Sequence, residues 1–453
     1  MIAATPRERA AAPPERWTDI FRYDPLVHLG LLGAIAAGMF QGYIKDRVGG
    51  FVPYLLADGL FIMAVVAWFG ALAVRHTRFR GPSRAIGIIL ATAVVPAFYL
   101  LAPGTPLVVK AAGLRAWIEF PVAALVALSV VRNAEQVRVY IRFILLLCII
   151  TAIYGIIQYR SGPSVVQQAG VLSMLRHGGT TAYYIESTGQ TEFRAYSTFT
   201  FPAPFAGMMV FAMLLAAGSV VASKAHLIRR LFTAALVLLF FMGMTVSGTR
   251  AALLTLLGGL AIIAWYRGIT FRQFLVLPVV LIGLQIGSVL TAGRILERYK
   301  SVDESILWTY AWAPISIAAR AIAANPFGEG LGRSGVGVPY FIMGAFPGGF
   351  FTGSDGDIGR AAVELGVTGL ALLLLIIVGL LPTVGSAIRG LADSPAEDVS
   401  LGAGALVMST GALLLIGSPL STIPHGLIWW FLLGSVIKLH VLRYDQDRQA
   451  AAG

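Results

Sequence analysis

The chain has 453 residues, of which 57% are hydrophobic and only 12% charged. A soluble domain carries about a quarter charged residues, so a soluble globular protein is excluded. The net charge of +12 fits a membrane protein facing an anionic leaflet and does not require nucleic acid; the single cysteine, Cys148, lies in an apolar run and excludes a disulfide framework.

The expected fold is all-α, a polytopic membrane protein, since no period-2 alternation points to a β-barrel. Residues 1–25 read as a polar tail with Arg7, Arg9 and Arg16. No cleavable signal is read there, because the first apolar run is too long and lacks a small-residue cleavage pattern. Apolar runs bounded by charge, Gly and Pro then predict about twelve spans. They cover residues 26–44, 51–74, 84–102, 107–131, 137–159, 198–222, 228–246, 249–266, 271–291, 361–383, 400–418 and 424–441. The fourth holds Lys110, Arg115 and Glu119 in its first half, which tilt or a polar cavity would accommodate. Residues 442–453 read as a second tail, leaving 26–441 as one transmembrane domain.

Basic residues set the orientation. With the N-terminus inside, the inner segments hold most of the 34 Lys and Arg, among them Arg75, Arg78, Arg80, Arg132, Arg138, Arg229, Arg230, Arg389 and Arg443. This bias predicts an N-in, C-in topology. Two outer segments are then long, 160–197 and 291–360. Within the second, residues 306–324, with Trp308, Tyr310 and Trp312, read as an amphipathic helix lying in the interface.

The stretch Val246 to Leu254 places one arginine, Arg250, between two uncharged apolar runs. Gly248, flanked by Ser247 and Thr249, reads as a tight break with capping hydroxyls. Arg250 then opens a helix, the end that favours anions. An anion held between the two positive features accounts for it; a boundary arginine that snorkels to the interface is the alternative. The predicted topology puts Arg194, Arg320, Arg333, Asp355, Asp357, Arg360, His425, Lys110 and Arg115 on the same outer side. Such a cavity suits a polyanion, because the guanidinium fork pairs phosphate oxygens. A lipid-linked pyrophosphate is the natural ligand at a membrane surface. Ordinary roles compete: loop or solvent-facing charges for Arg194 and Arg320, helix N-caps for Asp355 and Asp357, an interfacial ring for His425. The run Gly328, Gly330, Gly332 follows no strand and is not read as a dinucleotide loop. No His/Cys cluster has metal spacing.

Several stretches together carry a resemblance. Tyr154-Gly155-Ile156-Ile157-Gln158-Tyr159, Arg194-Ala195-Tyr196-Ser197-Thr198-Phe199-Thr200-Phe201-Pro202, Ser247-Gly248-Thr249-Arg250-Ala251-Ala252-Leu253-Leu254, Asn325-Pro326-Phe327-Gly328-Glu329-Gly330-Leu331-Gly332 and Val363-Glu364-Leu365-Gly366-Val367-Thr368-Gly369-Leu370 occur in this order. The chain resembles, over about 105–440, the O-antigen ligase and Wzy-type polymerase superfamily of bacterial membrane glycosyltransferases. The resemblance implies an inner-membrane bundle of about twelve helices with a periplasmic catalytic cavity. It implies transfer of a glycan from undecaprenyl pyrophosphate to an acceptor glycan hydroxyl, without metal, cofactor or nucleotide sugar. Implied partners are the lipid-linked oligosaccharide donor, the acceptor, membrane lipids and a chain-length regulator. Arg250, with Arg194, would stabilise the pyrophosphate, whose charge grows as the glycosidic bond breaks. The ligases carry a histidine where this chain has Asp355, so Asp355 or Asp357 becomes the candidate base. That departure favours a polymerase of O-antigen or exopolysaccharide repeat units over a ligase acting on lipid A core or protein. A transporter would favour midplane charges and repeated halves, which the sequence lacks.

Overall fold

The computed structural model describes residues 24–48, 52–75, 81–162, 183–185, 191–222, 227–268, 285, 304–338, 340–346, 350–352, 356–412, 414 and 419–452. Asp355, most of the expected outer segment 160–197, residues 291–303 of the second, and all of the expected 271–291 span except residue 285 lie outside them.

The described residues form a helical bundle. In chain order the elements are α1 (Pro25–Met39), α2 (Gln41–Val48), α3 (Val52–Arg75), α4 (Ser83–Val94), a 3-10 extension (Val95–Leu101), α5 (Leu107–Val130) and α6 (Ala134–Ser161). A two-stranded antiparallel hairpin follows, β1 (Tyr183–Ile185) and β2 (Thr191–Phe193), with Tyr184 opposite Glu192. Then come α7 (Pro202–Ala222), α8 (Leu227–Val246), α9 (Arg250–Arg267), α10 (Glu304–Ala324), α11 (Tyr340–Met343), α12 (Gly356–Leu375), a π-helical segment (Ile376–Leu380), α13 (Leu381–Gly390), α14 (Glu397–Ala412) and α15 (His425–Ala452). Eight of these stretches are long and apolar enough to cross a membrane, and three shorter apolar helices accompany them. The protein is therefore polytopic in character.

Local chemistry explains several boundaries. Asn133 starts α6 by accepting the Gln136 N–H at 2.9 Å. The span expected at 26–44 divides after Met39, where Phe40 caps α1 and the more polar α2 begins. Within the segment read as a second tail, 442–453, α15 continues as far as Ala452.

Contacts sort the bundle into two ends. At one end Arg132 meets Asp24 at 3.7 Å, Arg138 meets Asp398 at 2.8 Å, and Arg267 meets Glu397 at 2.6 Å. At the other, Ala195 N–H donates to Val246 at 3.1 Å, Thr198 to Met39 at 2.7 Å, and Arg115 to Gly337 at 3.2 Å. This second end, the site end, gathers the candidate residues.

Its framework is a kinked helix and a glycine loop. Gly366 leaves the helical region inside α12 (φ 62°, ψ −138°) and separates 356–365 from the membrane-length remainder. A break in apolar surroundings exposes carbonyls that need partners. The loop after α10 supplies them: Glu329 N–H donates to Val363 at 2.7 Å and Gly330 N–H to Glu364 at 3.3 Å. Tyr99 O–H donates to the Leu365 carbonyl at 3.0 Å. In return, Val367 N–H donates to Pro326 at 2.9 Å. The same loop lies backbone-to-backbone on α5, where a Cβ on Gly113 would stand 2.2 Å from Gly332 N. Small residues permit such approach between membrane helices and their loops. Gly113→Ala is therefore expected to destabilise the fold by about 1–3 kcal/mol, since the obstacle is backbone. An unchanged unfolding midpoint of the purified variant in detergent would remove this contact from the account.

Candidate functional site

The break between α8 and α9 is built as the sequence suggests, with one exchange of partners. Gly248 adopts φ 61° and its N–H donates to Thr245 at 2.9 Å, closing α8 in the left-handed manner that glycine favours. Thr249 stands at the N-cap of α9 in extended conformation, yet its hydroxyl does not cap that helix. It accepts instead from Arg194 Nη2 at 3.0 Å. Arg194 Nε donates to the Ser247 carbonyl at 2.9 Å. Ser247 Oγ turns back to Met244 O at 2.6 Å. Arg194 thus satisfies the C-terminal end of α8, while Arg250 takes the first position of α9. Both are half-buried. Two guanidinium-bearing residues and a helix N-terminus share one corner, an arrangement that favours an anion with several oxygens.

A second cluster lies inside the site end. Arg360 is 2% and Glu364 0% exposed at the side chain. They pair one turn apart, Arg360 Nε to Glu364 Oε2 at 3.2 Å. Arg360 also donates to Ser421 Oγ and, at 3.1 Å, to the Gly113 carbonyl. Its guanidinium stacks over Trp117 at 4.5 Å. Glu364 further accepts from Trp117 Nε1 at 2.8 Å and Ser334 Oγ at 2.6 Å. Asp357, in the first turn of α12, accepts from Leu420 N at 3.0 Å and from the Ser421 hydroxyl. It anchors the 420–421 turn and does not cap its own helix. A cavity of about 20 Å³, lined in part by Asp357, Arg360, Trp117 and Ser421, has room for one water.

The remaining expected site residues divide by what holds them. Lys110 donates to the carbonyls of Leu100 and Ala102, closing the 3-10 segment. Arg115 is engaged by Asp58 and Gly337. Arg333 pairs with Glu329 at 3.5 Å and stacks on Phe350 at 4.2 Å, while Thr352 donates to Glu329 at 2.6 Å. Arg320 is exposed on α10. His425, 5% exposed, packs edge-on against Phe211 at 5.2 Å. It is a core ring at the start of α15, where the interface was one expectation. Lys110, Arg115 and Arg360 each donate to protein acceptors, as Arg194 does. Arg194 and Arg250 are brought together, as are Asp357 and Arg360.

Glu364, Trp117, Ser334, Ser421, Glu329 and Asp58 were not among the expected site residues. The Arg360/Glu364 and Arg115/Glu119 spacings of four were the readable signal. The rest depend on contacts between distant segments. Among the described residues no group of three or more His, Cys, Asp or Glu is placed to hold a metal ion. No protein-family model and no curated protein sequence matches the chain.

Proposed function

We propose that the protein is a membrane glycosyltransferase that polymerises glycan repeat units carried on undecaprenyl pyrophosphate. The observation that carries this reading is the joint placement of Arg194 and Arg250 about the α8–α9 break. The reading also rests on the resemblance of the motifs around these residues. The site end would face the periplasm of a bacterial inner membrane, the pyrophosphate would meet the two arginines, and the lipid would lie along the apolar helices.

In the reaction the acceptor hydroxyl oxygen attacks the anomeric carbon of the donor glycan. Its proton passes to a carboxylate, and the bond between that carbon and the pyrophosphate oxygen breaks. The electron pair leaves on the pyrophosphate, where guanidinium groups offset the growing charge. Asp357 already accepts two hydrogen bonds and is buried, which favours Asp355 as the base. Arg333, held between Glu329 and Phe350, and exposed Arg320 are further contacts for the glycan or phosphate.

The test is purified protein in lipid nanodiscs with one defined lipid-linked repeat unit. A ladder of lipid-linked oligomers, with release of the lipid pyrophosphate and no other acceptor added, is expected. Transfer only onto added lipid A core would make the protein a ligase. Unaltered donor with either acceptor, or movement of donor across a bilayer without transfer, would overturn the enzyme reading.

A further inference from the structure

Two carboxylates and one guanidinium lie between α3 and α5, apart from the arginine corner and the Arg360 cluster. Arg115 bonds Asp58 through Nη1, and its Nε lies 3.9 Å from Glu119 Oε2. Asp58 is 8% and Glu119 7% exposed. Asp58 Oδ1 and Glu119 Oε2 are both buried without a hydrogen-bond partner among the described residues. Both helices are apolar and of membrane-crossing length, Leu55–Val74 and Leu107–Val130.

Ionised, the three side chains sum to one excess negative charge. An excess charge in such surroundings is expensive and is met by a partner or a bound ion. The neighbouring elements show where their own charges go. Lys110 of α5 is bonded to two carbonyls. The glycine loop contributes the Gly337 carbonyl, while its Arg333 pairs with Glu329. On α1, His28 bonds Tyr140 at 2.8 Å and Asp24 pairs with Arg132. On α2, Arg47 is exposed over Tyr43, and Lys45 is half-buried. On α15, His425 packs on Phe211.

We propose that Asp58, Arg115 and Glu119 form a buried site for one monovalent cation, a proton or an alkali ion, shared by the two carboxylates. Charge sets the stoichiometry. One monovalent cation neutralises the excess, whereas a divalent ion would reverse it. The two oxygens without hydrogen bonds, Asp58 Oδ1 and Glu119 Oε2, are the anionic ligands for either. Because Arg115 also holds Gly337, the bound cation ties α3 to α5 and to the loop bearing Ser334 and Arg333. The site is independent of the proposed transfer reaction.

The experiment measures unfolding of the purified full chain in detergent, across pH in choline chloride and across sodium chloride at alkaline pH. The folded state holds the cation more tightly than the unfolded chain, so stability falls as the cation is withdrawn. For a proton, the unfolding constant rises by up to about tenfold per pH unit between the unfolded chain's carboxylate midpoint and the site's own higher midpoint, and levels off above it. For an alkali ion, sodium restores stability at high pH where choline does not. Glu119→Gln keeps the shape and removes the excess charge, so it is expected to fold at least as well and to flatten the dependence. Asp58→Asn also flattens it, at a lower overall midpoint because the Arg115 contact is weakened. A wild type with neither dependence, or one shared unchanged by both variants, overturns the site. Should the variants fail to fold, infrared bands of the wild type decide. A protonated carboxyl band, or carboxylate bands shifted by sodium, supports the site, and neither overturns it.

Discussion

Arg250→Ala is expected to lower glycan transfer by about 10²–10³-fold while leaving the protein folded and inserted. The fold is expected to survive because groups other than the Arg250 side chain close the α8–α9 break. It is closed by Gly248, by the Ser247 hydroxyl on Met244, and by Arg194 on Ser247 and Thr249. In the proposed reaction the loss follows because the leaving pyrophosphate would gain charge in the transition state, and a fixed guanidinium would stabilise that charge more than the ground state. Arg250→Lys keeps a charge but loses the planar fork, so it is expected to recover only part of the activity. The loss should fall on turnover more than on donor affinity. Arg194→Ala is a less clean probe, since it also removes the partner of the Ser247 carbonyl. Wild-type turnover by folded Arg250→Ala in the nanodisc assay would return Arg250 to the role of an interfacial boundary charge.

The long helices are legible because apolar runs between charges report directly on what can cross a membrane. The expected 107–131, 249–266 and 306–324 correspond to Leu107–Val130, Arg250–Arg267 and Glu304–Ala324. The α8–α9 break is legible too, because Gly248 needs a left-handed conformation and marks itself. What escapes is whatever depends on one segment meeting another. The span expected at 361–383 hides the kink at Gly366, where Pro326 and Gly328 of the docked loop leave no room for a Cβ. The sequence separations in Arg115 to Asp58, Trp117 to Glu364 and Arg360 to Ser421 carry no period at all. An arginine counted as free charge can therefore be committed to a carboxylate, as Arg115 and Arg360 are. The hairpin of β1 and β2 is likewise missed, because its two strands are too short to show alternation.

Removing one member of the Arg360–Glu364 pair is expected to cost about 3–5 kcal/mol, because a buried charge then loses its counterion. Arg360→Met leaves Glu364 with Trp117 and Ser334 as neutral donors only. Glu364→Gln leaves Arg360 with Ser421 and the Gly113 carbonyl, likewise neutral. The double substitution removes both charges, so its loss should be smaller than the sum of the singles by about 1–3 kcal/mol. Additive losses in detergent unfolding would dissolve the pairing. Transfer is expected to fail in each single variant together with stability. The reason lies in the connections: α12, α5, the glycine loop and the 420–421 turn all meet at these two side chains. Arg250→Ala, by contrast, should lose transfer and keep stability. The two arginines occupy the same end of the bundle, and this difference would separate the one that holds that end together from the one proposed to meet the ligand.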